Sequence, residues 1–273
     1  MSHGRPGTRP RILPRLGEKG PVPGTARPDA DCEVWYVRAA AVPEGLAALL
    51  DERELLRRGR LRGARDRRRF LAAWALTRLV LARRWDHDPS GLAFDRTCRH
   101  CGGDHGKPRV VDPAEADLDF SVSHAGELAV LAVTSRGAVG VDVEDASLRD
   151  VPGHHLESSL SEFELRDFRA RGGGYADFVV RWTRKEAVLK AVGKGLAVHP
   201  AHVEVTGSSS SPRVLNLPAA LGAPDSYSLI DAPLPGPYRG SVAVVGRAAP
   251  LLVRDGADLI GAVADCGDHA PSA

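Results

Sequence analysis

Trp182-Thr183-Arg184-Lys185-Glu186-Ala187-Val188-Leu189-Lys190-Ala191-Val192-Gly193-Lys194-Gly195 reads as a helix followed by its stop signal. At about 100° per residue, Tyr175, Phe178, Val179, Trp182, Leu189 and Gly193 fall on one arc. That arc is expected to face the core, and Glu186 lies in its middle, flanked by Lys185 and Lys190. A carboxylate on an apolar face is costly to bury unless something compensates its charge. Two flanking ammonium groups point to an anionic ligand. The plain alternative is a surface ion pair, since Glu186 and Lys190 are spaced i, i+4.

Upstream, Val139-Gly140-Val141-Asp142-Val143-Glu144 alternates as a strand does. Val139, Val141 and Val143 share one face, Asp142 and Glu144 the other. Two carboxylates on one face repel unless a cation lies between them. Their hard oxygens suit Mg²⁺, which completes its shell with waters and a substrate phosphate. An exposed polar face of an edge strand is the competing reading. Phe120-Ser121-Val122-Ser123-His124-Ala125-Gly126 ends a strand at a turn, where Ser123 and His124 either contact a phosphate or merely form the turn. No Gly-x-Ser-x-Gly elbow accompanies them, so a Ser-His-Asp hydrolase is disfavoured.

The 273 residues are 43% hydrophobic and 26% charged with net charge +2, enough for one large domain or two small ones. No nucleic-acid partner is implied, because the Arg53–Arg69 run carries nine arginines without interleaved aromatics. Most of these arginines are expected on a solvated surface, with a minority free to clamp phosphates. No apolar run is long enough to span a membrane, and no signal peptide is recognised, so a cytoplasmic monomer is expected. Cysteine usage is too sparse for a disulfide framework. Cys98-x-x-Cys101 with His105 resembles half of a zinc site, or simply a loop of reduced thiols.

The pattern predicts strands near 33–37, 118–123, 127–134, 138–144, 226–230 and 238–245. It predicts helices near 44–60, 65–86, 161–170 and 174–192. Residues 1–30 are expected to be a disordered extension. Two stretches, 31–138 and 139–250, each read as a long helix, a Gly-Lys turn and strands. The expected class is therefore α+β, two similar halves with a cleft between them and a tail over 251–273.

Gly140-Val141-Asp142-Val143-Glu144, followed about 40 residues later by Trp182-x-x-Lys185-Glu186-Ala187-x-x-Lys190-Ala191-x-Gly193-Lys194-Gly195, resembles the Sfp-type 4′-phosphopantetheinyl transferases. Gly106-Lys107-Pro108 and Phe120–His124 stand where that family has its adenine-side loop and Ser-His phosphate contact. The resemblance implies two α/β halves about a pseudo-twofold axis, and CoA, Mg²⁺ and an apo acyl or peptidyl carrier protein as co-substrate, metal and acceptor. It implies Asp142, Glu144 and Glu186 as Mg²⁺ ligands. Lys185 and Lys190 become pyrophosphate contacts, and Ser123 and His124 contacts to the CoA phosphates. Lys107 and Pro108 would border the adenine, and Arg57, Arg62 and Arg69 lie where the family binds the 3′-phosphate. Glu186, Lys190 and Asp142 are the implied catalytic set, with Glu186 either ligand only or also base. Another Mg²⁺-dependent phosphoryl enzyme and a non-catalytic CoA-binding module remain as alternatives. The carrier served is left open: fatty acid, polyketide or nonribosomal peptide.

Overall fold

The structure, a computed structural model, describes residues 32–111, 118–147, 153–194, 198–247 and 250–267. The expectation for residues 1–30 and the Gly195 end of the helix motif lie outside them. The chain runs β1 (Cys32–Arg38), two 3₁₀ turns, α1 (Glu52–Arg60), α2 (Ala64–Trp85) and the two-residue strands β2 (Phe94–Asp95) and β3 (Arg109–Val110). Then come β4 (Asp119–Ala125), β5 (Leu128–Thr134) and β6 (Val139–Asp145). Next are α3 (Gly153–Ser159), α4 (Glu162–Ala170) and α5 (Tyr175–Val192). The short β7 (Glu204–Val205) and β8 (Val214–Asn216) precede β9 (Tyr227–Ala232), β10 (Tyr238–Val245), β11 (Leu251–Asp255) and α6 (Ala257–Gly267).

Helices and mixed sheets make this an α+β architecture. Of the two larger sheets, one has the order β11-β1-β5-β4 and the other β6-β10-β9, while β2-β3 and β7-β8 form two-stranded pairs. Strand alternation explains the layers. Val37, Ala129, Leu131 and Val133 face α2, whose residues Leu71–Ala82 are all buried. Their neighbours Val34, Leu128, Val130 and Ala132 face the other way and pack on Val139, Val141, Val143, Val242 and Val244 of the second sheet. Behind that sheet Ala187, Val188 and Leu189 of α5 meet Leu229 and Ala243. Burial of these apolar faces is the main stabilising term.

Two departures from the sequence reading have simple causes. The helix expected over 44–60 is a 3₁₀ turn (Glu44–Leu49) and then α1, because Asp51 caps Glu54 N–H at 2.8 Å and starts a new helix. The expected tail is not a tail: β11 pairs in parallel with β1, and Ile260 of α6 is buried in the α2 core.

Each long helix also carries a buried cation met by a buried glutamate. Arg78 of α2 donates to Glu54 at 2.8 Å and to the carbonyls of Pro89 and Leu92. Lys185 of α5 donates to Glu164 and to the carbonyl of Pro200. Both glutamates sit at the third position of a capping box, Asp51–Glu54 and Ser161–Glu164. A buried charge is tolerated only with such partners.

The two sheets close on each other along β4 and β6. These strands run side by side, and side chains stand in for a backbone ladder: Val139 N–H donates to Asp119 and Val141 N–H to Ser121 Oγ. On its other face β6 touches α5 at Gly140. A Cβ there would lie 1.9 Å from the Ala187 carbonyl oxygen and 2.4 Å from Ala191 nitrogen. Gly140→Ala is therefore expected to destabilise by roughly 3 kcal/mol or more. Gly59→Ala, on exposed α1 with open space around it, should be neutral or slightly stabilising. Urea unfolding of the two variants checks this; equal midpoints would contradict the close approach.

Candidate active site

The seam between the sheets gathers polar groups from four elements. Asp142 and Glu144 come from β6, Ser123 and His124 from the end of β4, Glu186 and Lys190 from α5, and Arg69 from the first turns of α2. Lys190 Nζ donates to Asp142 Oδ1 at 2.6 Å and to Ser123 Oγ at 3.0 Å. Ser123 Oγ in turn donates to Asp142 Oδ1 at 2.9 Å. Asp142 is 5% exposed, and its second oxygen, Oδ2, is buried without a partner. Arg69 Nε is likewise buried and unpartnered, so two of the four such atoms among the described residues lie here. Buried groups left in that state are uncommon.

The charges do not balance internally. Asp142, Glu144 and Glu186 face one nearby ammonium, Lys190. Burial, then the Asp142 charge, pushes the Glu144 carboxyl up to about 7, against a hydrogen bond from Trp182 that lowers it. Burial and then Asp142 also raise Glu186. His124 is depressed, first by desolvation and then by the Arg69 and Lys190 cations, which keeps its ring neutral at physiological pH. One side of the seam is thus short of positive charge and the other is rich in donors. A divalent cation fits the first: an orphaned carboxylate oxygen, two destabilised carboxylates and hard oxygen donors throughout. A phosphate fits the second. A pocket of about 300 Å³ opens beside Glu144, with Tyr175, Phe178 and Trp182 among its walls.

The expected residues divide as follows. Asp142, Glu144, Glu186, Lys190, Ser123, His124 and Arg69 come together. Lys185 does not: it is fully buried and ion-paired with Glu164, and so cannot reach a ligand at the seam. The Lys107 ammonium is also committed elsewhere, to Asp119 and, at 2.7 Å, to the Val139 carbonyl, leaving only the backbone of Lys107-Pro108 to border a ligand. Arg62 is exposed, its carbonyl taken by Arg67, and Arg57 shows no contact with the cluster among the described residues.

The arc predicted to face the core needs correction too. Core packing covers almost the whole circumference of α5, and Trp182, Glu186 and Lys190 form the less buried stripe that faces the seam. Periodicity found the stripe and assigned it to the wrong environment. The Trp182–Glu144 hydrogen bond and the Asp66–Arg69 pair were not anticipated. The signal available for the first was the i, i+4, i+8 run of three polar-tipped side chains.

Residues 138–242 match the family model described as the 4′-phosphopantetheinyl transferase superfamily. This stretch is a 4′-phosphopantetheinyl transferase superfamily domain. The chain is 32% identical over 158 residues to a putative 4′-phosphopantetheinyl transferase of Synechocystis sp., covering 56% of this chain and 61% of that one. It is 35% identical over 161 residues to the 4′-phosphopantetheinyl transferase HetI of Nostoc sp., covering 56% and 64%. The matched region thus spans less than two thirds of either relative. Among solved structures, holo-[acyl-carrier-protein] synthase of Thermotoga maritima aligns at 25% identity over 41% of this chain and 64% of its own, with TM-score 0.35. No helix among the described residues is long and apolar enough to cross a membrane.

The raised Glu144 gives a signed prediction. Unfolded, it titrates near 4.5; folded and without a cation, near 7. The folded state holds the extra proton between those values, so cation-free stability is greatest at the acid end and falls as pH rises through about 7. The melting temperature in EDTA should drop from pH 5 to 8, recover with Mg²⁺, and drop less in Glu144→Gln. Identical pH slopes for the variant and the parent chain would contradict this.

Proposed function

We propose that the chain transfers the 4′-phosphopantetheine group of CoA to a serine of an apo acyl or peptidyl carrier protein, with Mg²⁺, releasing adenosine 3′,5′-bisphosphate. The observation that carries this reading is Asp142. One of its oxygens is bound by Ser123 and Lys190, and the other is buried and unpartnered beside two destabilised carboxylates. The family domain around it supports the choice of reaction. We further propose that the halves 31–138 and 139–250 are related by a pseudo-twofold axis, which the repeated capping-box glutamate and helix cation support.

Asp142, Glu144 and Glu186 would hold the metal, which when bound supplies charge neutralisation on the pyrophosphate oxygens. Lys190 steadies the charge that builds on the leaving phosphate. Neutral His124 donates to a phosphate oxygen, Ser123 holds Asp142 and Lys190 in place beside it, and Arg69 offers its free Nε–H to a further phosphate, the 3′-phosphate in this reading. The carrier serine attacks the phosphorus that bears pantetheine. Its Oγ–P bond forms as the P–O bond to the adenosine-side phosphate breaks. Glu186 takes the serine proton, directly or through a water, from its place beside Asp142 and Lys190. The pocket beside Glu144 gives the pantetheine arm apolar walls. Catalysis by such a site is alignment and electrostatics, with no covalent intermediate on the protein.

Incubation with CoA, Mg²⁺ and a panel of apo carrier proteins, read by mass spectrometry, should give a phosphopantetheine adduct on the carrier serine. No adduct on any fatty-acid, polyketide or nonribosomal-peptide carrier would overturn the assignment. Glu186→Gln should bind CoA within a few-fold of the parent chain yet lose on the order of 100-fold or more in transfer. Unchanged turnover in that variant would remove Glu186 from the mechanism.

A further inference from the structure

The loop between β2 and β3 lies outside the proposed reaction. It holds Cys98, Cys101 and His105, whose ligand atoms all lie within 4.8 Å of one another, the one such group of three among the described residues. Cys101 Sγ is 2.9 Å from His105 Nε2, and both residues are exposed. Cys98 and Cys101 are free thiols in this conformation. We propose that these three side chains form a zinc site, distinct from the Mg²⁺ site, that pins the β2–β3 loop.

The backbone is already folded for this. Cys98 N–H donates to the Gly103 carbonyl at 2.8 Å, and Gly102 N–H returns to the Cys98 carbonyl at 2.9 Å. Gly102 takes the left-handed conformation, φ 73°, that this reversal requires. The turn aims the N–H groups of Cys101 and His100 at the Cys98 sulfur. Gly103 leaves room for the closure: a Cβ there would stand 3.0 Å from the His105 ring and 3.4 Å from Cys101 Sγ. Preorganised thiolate donors at a tight turn are what a zinc ligand set needs.

Distance and chemistry select the metal. With Zn–S near 2.3 Å and Zn–N near 2.0–2.1 Å, tetrahedral geometry places sulfur and nitrogen about 3.6 Å apart and the two sulfurs about 3.8 Å apart. Opening the Cys101–His105 contact to that value needs a side-chain adjustment of well under ~1 Å. Two soft thiolates and an imidazole prefer Zn²⁺ to Mg²⁺. Exposure leaves the fourth position to solvent.

Both ends of the loop are anchored, so the ion has something rigid to hold. At one end Arg96 donates to buried Glu54 at 2.7 Å and stacks 4.1 Å over Trp74. At the other, Lys107 ties the loop to Asp119 and to β6. Between them Gly106 N–H closes on the Arg96 carbonyl at 2.7 Å. The zinc cross-links the tip and fixes the approach to Lys107-Pro108.

Elemental analysis of the full chain, purified without chelators and dialysed, should find about one zinc per chain. Replacement by Co²⁺ should give a thiolate-to-cobalt charge-transfer band. Cys98→Ser and His105→Ala should each lose the zinc, and with it the cobalt band. Asp142→Asn should keep both. His105 is exposed, so His105→Ala retains the fold, which its circular dichroism verifies. Zinc-free protein from zinc-supplemented cells, zinc content unchanged in His105→Ala, or a Cys98–Cys101 disulfide in protein kept under reducing conditions would each overturn the site. These readouts do not involve CoA or transfer, so they stand whether or not the proposed reaction does.

Discussion

The missing side chain at Gly140 is the constraint on which the rest depends. It lets α5 lie on the backbone of β6, closer than any Cβ would permit. Only at that range do Glu186 and Lys190 meet Asp142 and Glu144. The same strand is held from its other side by Asp119 and Ser121 of β4, through its backbone N–H groups. Strand β6 is thus clamped between the two sheets' contents, and its carboxylates are fixed where three like charges accumulate. The strain at the seam is electrostatic: Glu144 is pushed up to about 7 because it shares the site with Asp142 away from water.

Two kinds of buried cation coexist here, and they behave differently. Arg78 and Lys185 are completely enclosed, and each meets a buried glutamate. They hold helices in place, and complete burial keeps any ligand away from them. Lys190 and Arg69 are only partly covered and border atoms that lack partners. Enclosure, more than residue type or sequence position, separates the structural cations from those able to bind an anion.

The sequence announced most of the regular elements, because β4, β5, β6 and β10 alternate cleanly and α2 and α5 are long and periodic. It also named Asp142, Glu144, Glu186, Lys190, Ser123 and His124, which the fold gathers at one seam. It misplaced Lys185 because adjacency in a motif says nothing about which way a side chain turns; Glu164, 21 positions upstream, decides that. It overlooked β11 because pairing with β1 spans nearly the whole chain, and no local pattern encodes that. It offered Arg57, Arg62 and Arg69 together because nine cations in one run look alike until the fold places Arg69 alone of the three beside His124.

The central claim is that the three carboxylates hold a divalent cation against a pyrophosphate. The most direct measurement is ³¹P NMR of CoA with substoichiometric Mn²⁺ and protein. The account predicts selective broadening of the pyrophosphate resonances beyond that of Mn²⁺ and CoA alone, abolished in Asp142→Asn. Equal broadening with the parent chain and with Asp142→Asn would contradict it.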